Sequence, residues 1–371
     1  MKQKVGITGN DGFIGYHLTS LLRTKENIEI IPFELDFFYD SSKLDHFVSQ
    51  CDVIVHLAGV NRHHDENEIY SVNISLAEKI MGSVKNTKVK PFIIFSSSTQ
   101  EERDNPYGKA KRKAREMLEN FSALNNSDFT GLIIPNVFGP FGQPYYNSFI
   151  ATFCYQINHN EEPKIEVDAD VSLIYVFDLV NYIYDVIAGN LKGIKLNVPH
   201  EGSDRVSKIL QKLNSFKSVY LENGIIPELK DHWDICLFNT FRSYIDYGFY
   251  PFKLKKHEDN RGYLFEVLKS NTKGQIFCSF TRPGITRGNH FHFNKIERFC
   301  VIKGLAEIKL RKIGTSEIIT YKVSGEDPSF IDIPIMHTHH ITNVGDNELL
   351  TLFWTNEFYN PDKPDTYYEE V

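Results

Sequence analysis

Between Lys4 and about Asp185 the chain alternates short apolar runs with stretches of helical spacing, and this alternation leaves its first half very few possible folds. Residues 5–8, 29–33, 52–58 and 91–97 are runs of β-branched and aromatic residues, apolar on both faces as strands of a covered parallel sheet must be. Residues 13–23, 73–85 and 107–121 carry the 3.6-residue spacing of helices. Strand–helix alternation of this kind predicts a Rossmann-like, doubly wound α/β domain. From about Tyr244 the pattern changes, and glycine, proline and aromatic residues punctuate short alternating segments such as 263–267. That part predicts an all-β domain. The expected division is 1–245 and 246–371, joined through residues 247–256.

Composition narrows the functional classes. A formal charge of −7 argues against nucleic acid or an anionic membrane surface as main partner. The cysteines at 51, 154, 236, 278 and 300 are odd in number and contain no Cys-x-x-Cys pair, which suits a reducing compartment. No run approaches the ~18 apolar residues of a membrane span, and Met1–Lys4 leads straight into a strand. A cytoplasmic protein is expected.

The first strand runs into Thr8-Gly9-Asn10-Asp11-Gly12-Phe13-Ile14-Gly15. Glycines permit a tight turn and close backbone approach, and the helix N-terminus beyond them offers free N–H groups to a pyrophosphate. The third strand ends in small residues at Leu57-Ala58-Gly59, at the sheet edge where such folds bind cofactors. Gly9, Asn10, Gly12, Phe13, Ile14 and Gly15, with Leu57, Ala58 and Gly59, form the expected cofactor-binding set. An acidic residue at the end of the second strand, Glu34 or Asp36, would hydrogen-bond a ribose diol and repel a 2′-phosphate, which favours NADH. Tyr107 and Lys111 stand one helical turn apart on one face. A neighbouring ammonium is expected to lower the phenol's pKa so that Tyr107 exchanges a proton near neutral pH. Ser96-Ser97-Ser98-Thr99 closes the preceding strand with hydroxyls able to hold a carbonyl.

The all-β part carries Gly284-x5-His290-x-His292-x4-Glu297-x6-Gly304, followed by Pro334-x-Met336-x2-His339-x3-Asn343. His290 and His292 point to one face of a strand. With Glu297 and His339 they offer three nitrogens and one oxygen, a set suited to Zn²⁺ and also to Fe²⁺, Mn²⁺ or Ni²⁺.

Over residues 1 to 240 these motifs, with Asn73, Pro135-Asn136-Val-Phe-Gly139-Pro140 and Tyr175-Val-Phe-Asp178, resemble the extended short-chain dehydrogenase/reductase family. The resemblance implies Tyr107 as general acid, Lys111 on the ribose, Ser98 (or else Thr99) on the carbonyl, and Asn136 at the sugar. Thr99-Gln100-Glu101 stands where dehydratases of the family have Thr-Asp-Glu, which favours plain carbonyl reduction. Residues 256 to 360 resemble the cupins, with Pro328 and Met336 in place of two glycines of the second motif, and imply a jelly-roll β-barrel. Asp259-x-Arg261-Gly262-x2-Phe265-Glu266, Gln275 and Arg287-Gly288-x-His290 look like the 3,5-epimerase branch, implying Arg261, Glu266 and Gln275 at a nucleotide sugar. In that branch the histidine at the position of His290 is the base; here it falls among the metal ligands, which leaves His337 and His340 as candidates.

Over the full length, including Trp354-x-Asn356-Glu357, the chain resembles the CapF/WbjC-type bifunctional UDP-sugar enzymes of bacterial surface-polysaccharide synthesis. That resemblance implies a cytoplasmic homodimer using NADPH and zinc on a UDP-linked 4-keto-6-deoxy-N-acetylhexosamine. The barrel would epimerise C3 and the nucleotide-binding domain would reduce the C4 ketone. The product implied is UDP-N-acetyl-6-deoxy-L-talosamine, precursor of UDP-N-acetyl-L-fucosamine. The competing readings are a single-function 4-ketosugar reductase whose barrel only dimerises or binds, and a nucleotide-sensing scaffold without turnover.

Overall fold

The computed structural model describes residues 2–200, 202–254, 257–259, 262–264, 268, 275–357, 360 and 362–371. By their contacts they form two compact units, Met1–Phe138 with Val171–Ser203, and Gly139–Asp170 with Asp204–Val371. No described helix is long and apolar enough to cross a membrane.

The first unit is built on β1 (Gln3–Thr8), β2 (Ile28–Ile31), β3 (Val53–His56), β4 (Phe92–Ser98) and β5 (Phe129–Ile134), joined by α1 (Phe13–Leu22), α2 (Ser41–Ser49), α3 (Glu66–Thr87) and α4 (Pro106–Asn125). Short strand β6 (Asn136–Phe138) pairs parallel with β7 (Asp170–Tyr175); α6 (Val176–Ile187) and β8 (Lys195–Asn197) follow. The main sheet runs β2-β1-β3-β4-β5-β8, every pair parallel. Its strand order reverses at β1, so the crevice for a ligand opens where β1 and β3 end. Strands β3 and β5 are buried along their whole length, as helices on both faces require. One core cluster packs Phe33, Phe38, Phe47, Ile54, Ile80, Val84, Phe95 and Leu118 beneath the sheet.

Helix α3 begins seven residues before its expected start at 73. The Asp65 side chain caps it by accepting from Asn67 N (2.9 Å), and Glu66 and Glu68 favour the positive N-terminus. Its buried face, Ile69, Asn73, Ala77, Ile80 and Val84, is the apolar stripe with its first turn restored.

The second unit combines helices α5 (Phe149–Asn158), α7 (Val206–Phe216) and α8 (His232–Arg242) with a β-rich part; β9 (Gly202–Arg205) precedes α7. The strands are β10 (Phe252–Lys253), β11 (His257–Asp259), β12 (Gly262–Leu264), β13 (Gln275–Thr281), β14 (Thr286–Phe291), β15 (Glu297–Lys303) and β16 (Leu305–Lys312), then β17 (Ile318–Ser324), β18 (Ser329–Ile333), β19 (His337–Asn343), β20 (Leu349–Thr355) and β21 (Tyr367–Tyr368). They make two antiparallel five-stranded sheets, β10-β18-β15-β20-β13 and β17-β16-β19-β14-β21, the two-sheet pattern of a cupin-like jelly roll. Phe299, Val301, Ile308, Leu310, Ile331, Ile341 and Phe353 fill the space between them.

Residues 139–170 and 204–245 therefore pack with the β-rich part, although the sequence division at 245 joins them to the nucleotide-binding half. Polar contacts, most of them buried, are among those that hold them. Arg298 makes two bonds to the Asp332 carboxylate (2.7 and 2.9 Å) and a third to Gly224 O (3.0 Å). Tyr220 donates to the same carboxylate and meets the Tyr250 hydroxyl at 2.6 Å. Arg242 reaches Ile333 O at 2.8 Å, and Tyr244 donates to Gly142 O at 2.6 Å.

Candidate active site and metal centre

In the first unit, Gly9 adopts φ +74°, and a Cβ there would meet Ala58 N at 2.8 Å. A Cβ on Gly15 would stand 2.1 Å from Gly9 O. The glycines thus let the turn fold back on itself and lie against the end of β3. Gly12 N donates to Gly9 O (3.0 Å), and α1 starts at Phe13 with no side-chain cap, which leaves its first amides for a ligand. Leu57 N donates to Thr8 O (3.1 Å), while Thr8 Oγ1 meets His56 Nδ1 at 2.7 Å. The structure brings Gly9, Asn10, Gly12, Phe13, Ile14 and Gly15 together with Leu57, Ala58 and Gly59 at the point where the strand order reverses. Asp36 is paired with Lys43 at 2.6 Å, whereas Glu34 is exposed beyond the end of β2.

A second set of contacts fixes Lys111 beside Tyr107. Lys111 is 4% exposed; its Nζ donates to Ser96 O (2.8 Å) and lies 5.8 Å from the Tyr107 ring centre. A Cβ on Gly59 would stand 3.3 Å from Lys111 Nζ and 2.5 Å from Asn73 Oδ1. Asn73 pins that loop by donating to Val60 O (2.6 Å) and accepting from Val60 N (3.3 Å).

Alternation along β4 sorts the hydroxyls. Ser97 faces away and bonds Glu101, which is held by Arg115 (2.8 and 3.1 Å) in a buried pair. Ser98 shares the face of Ser96, the Lys111 side, and its Oγ accepts from Gln100 N at 3.2 Å. This registry favours Ser98 for holding a carbonyl and gives Glu101 a structural task. Sequence reading missed the Ser97–Glu101–Arg115 anchor. Asn136 sits exposed at the start of β6, donating to Ser172 O at 3.4 Å.

One expectation is overturned. Burial pushes the Tyr107 phenol up to about 12 instead of letting Lys111 draw it down. Burial also pushes the Lys111 ammonium down to about 8, against the pull of Glu101. A phenol so placed holds its proton at neutral pH, the state a proton donor needs.

In the second unit, His290 in β14 is paired with His339 in β19 across a bulge at Asn289, and Glu297 opens β15 in the opposite sheet. One donor atom from each of His290, His292, Glu297 and His339 lies within 4.8 Å of all the others. His292 Nε2 and His339 Nε2 stand 3.0 and 3.2 Å from Glu297 Oε2. All three atoms are sealed from solvent, yet none of them makes a hydrogen bond of acceptable geometry. His339 Nδ1 donates to His337 O (3.2 Å) and His292 Nδ1 to Asp365 O (2.6 Å), so both Nε2 atoms face the cluster. Converging, otherwise orphaned nitrogen and carboxylate donors fit a divalent first-row cation. Burial, with His339 and His292 alongside, pushes His290 down to about 4. Burial alone would raise the Glu297 carboxyl, but His292 and His339 hold it well below the usual range.

The β15–β20–β13 register aligns Glu297, Thr355 and Gln275 in one row. Arg261 and Glu266 lie outside the described residues. His337 is 1% exposed with both nitrogens engaged, Nε2 with Tyr247 Oη (2.7 Å) and Nδ1 with Ile335 O (3.0 Å). His340 faces the opposite side of β19 from His339 and meets Asn289 Oδ1 at 3.0 Å. His337 shares the face of His339 on β19, and His340 does not. Met336, which stands in place of a motif glycine, takes the left-handed conformation (φ 54°) that glycine would have supplied.

Residues 5–198 match the NAD dependent epimerase/dehydratase family, and residues 257–367 match the polysaccharide biosynthesis C-terminal domain. The chain is 31% identical over 366 residues, 98% of both proteins, to the UDP-2-acetamido-2,6-beta-L-arabino-hexul-4-ose reductase of Pseudomonas aeruginosa. Among solved structures it resembles the capsular polysaccharide assembling protein CapF from Staphylococcus aureus, with TM-score 0.65, 34% identity and 100% of each chain covered. A structure of CapF with the inhibitor 3-isopropenyl-tropolone gives TM-score 0.61 and 31% identity, again over 100% of each chain. The chain belongs to the NAD-dependent epimerase/dehydratase family, in the CapF-type branch that joins an extended short-chain reductase to this C-terminal domain. It is a sugar-nucleotide-modifying enzyme with a nicotinamide cofactor.

Proposed function

We propose that the protein is bifunctional, reducing the C4 ketone of a UDP-2-acetamido-2,6-dideoxy-4-keto-hexose with NAD(P)H and inverting C3 of the same sugar at its barrel. The two activities are assigned to residues 1–245 and 246–371. The observation that carries the reductase half is the likeness to the Pseudomonas reductase across 98% of both proteins, and the His290–His292–Glu297–His339 cluster supports the other half. The sites described above agree with it.

When bound, the reduced nicotinamide supplies hydride to C4. Tyr107, protonated at neutral pH by its burial, gives its proton to the ketone oxygen as charge develops there. Ser98 holds that oxygen before transfer, and Lys111 lies beside the phenol to orient the ribose. In the barrel, His290, His292, Glu297 and His339 would hold the metal, proposed to be zinc, whose Lewis acidity at a ketone or enolate oxygen acidifies the neighbouring C–H. Arg261, Glu266 and Gln275 are the residues proposed to bind the sugar nucleotide there, and the product is UDP-N-acetyl-6-deoxy-L-talosamine.

The test incubates the full chain with the 4-keto sugar nucleotide in D₂O, with NADPH and with NADH, following absorbance at 340 nm and identifying the product by NMR. Cofactor oxidation and deuterium at C3 are expected. A Tyr107→Phe variant should lose about 10²–10⁴-fold in reduction rate while still exchanging C3, and His292→Ala should lose exchange. A parent that oxidises neither cofactor refutes the reductase, and one that reduces without C3 exchange refutes the epimerase.

A further inference from the structure

We infer that Asp365 is a positioning residue for the barrel site, setting both the 292–297 ligand loop and the tautomer of His292; this rests on reading the four-residue cluster as a metal centre. The side chain and main chain of this one residue are both spent on the loop. Its carboxylate oxygens accept from three successive amides, Phe293 N (3.1 Å), Asn294 N (2.8 Å) and Lys295 N (2.8 Å). Its carbonyl meets His292 Nδ1 at 2.6 Å. A carbonyl only accepts, so Nδ1 carries a proton and Nε2 is the atom left for a ligand position, 3.0 Å from Glu297 Oε2.

One residue thereby ties down a ligand and the turn that leads to the next ligand. Asp365 does this from a left-handed backbone (φ 41°), a conformation that aspartate and asparagine tolerate better than most residues. Lys295 secures both neighbours of Asp365, with Nζ on Pro364 O (2.7 Å) and on Thr366 Oγ1 (3.2 Å). The contrast with His339 is informative. Its Nδ1 is satisfied by its own strand at His337 O, whereas His292 takes its acceptor from 73 residues further along the chain. Partners of this kind fix ring orientation and raise ligand basicity, and losing one typically costs about 10–100-fold in metal affinity.

The experiment uses the full-length parent, Asp365→Ala and Asp365→Asn, each checked for folding by circular dichroism. Zinc affinity is measured by competition with a chromogenic chelator. In parallel, ¹⁵N-histidine NMR of the metal-free proteins reads the His292 tautomer, with its signal assigned by loss in His292→Gln. The alanine variant should bind zinc about 10–100-fold more weakly and lose the pure Nδ1–H form. Asp365→Asn, which keeps the backbone preference and one acceptor oxygen, should fall between. An alanine variant that binds zinc as tightly as the parent, or that keeps the pure Nδ1–H form, overturns the inference. A parent that takes up no zinc sinks the metal reading instead, and the tautomer comparison still decides the role of Asp365.

Discussion

Lys111 is a residue whose burial makes a sharp demand on the fold. Its ammonium is 4% exposed and is pushed from 10.5 down to about 8, chiefly by desolvation. At about 1.36 kcal/mol per pH unit, the gap amounts to about 3 kcal/mol of destabilisation while the folded state must carry the charge. Replacing it with methionine relieves that cost but removes the donor to Ser96 O, a bond worth about 1 kcal/mol. The Lys111→Met variant should therefore be more stable than the parent by about 2 kcal/mol at pH 7.

The pH dependence gives the sign. Between about 8 and 10.5 the unfolded chain keeps the lysine proton and the folded chain has lost it, so the parent's stability rises with pH in that window. The variant lacks this rise. Its advantage should vanish near about pH 9.5 and turn into a deficit above it. Urea unfolding of both proteins followed by far-UV circular dichroism from pH 7 to 10.5 gives the difference curve, in which other titrating groups cancel. A pH-independent difference, or a variant less stable at pH 7, would show that Lys111 is not held under this strain.

Two further outcomes test other parts of the fold. Gly15→Ala places a Cβ 2.1 Å from Gly9 O and should weaken NADPH or NADH binding about tenfold or more, read by cofactor fluorescence; unchanged affinity would separate that turn from cofactor binding. Asp332→Ala strands the buried Arg298 guanidinium and should cost about 3–5 kcal/mol. The fluorescence of Trp233 and Trp354, both in the second unit, reports that loss during urea unfolding.

What was legible in the sequence depended on local periodicity. The parallel strands announced themselves as runs apolar on both faces, and the four-residue cluster as histidines two apart with a carboxylate five residues beyond. The start of α3 was hidden because its first turn, Glu66 to Tyr70, is mostly polar and owes its shape to the Asp65 cap. The Tyr107 proton affinity was misjudged because spacing shows a neighbouring charge but not the burial that outweighs it. Asp365 left no signal near the motif it serves, since it acts across more than seventy residues and partly through its backbone. Arg298 and Asp332 likewise became partners only when β15 and β18 paired.

The division of the chain into interleaved segments bears on how it is made. The first unit closes only when residues 171–203 return to it, and residues 139–170 belong with a part that begins at Asp204. During synthesis, the segment carrying α5 emerges well ahead of the strands that complete its unit. At about 5–20 residues per second it waits on the order of 5–20 s for α7 and α8, the helices that pack against it, and longer for the strands. A chain cut at residue 245 would keep α7 and α8 beside α5 but lose Asp332 and Ile333, the strand partners of Tyr220 and Arg242. Such a truncation should accumulate with chaperones or in aggregates, so the barrel acts as a folding partner for the helices that precede it in the sequence.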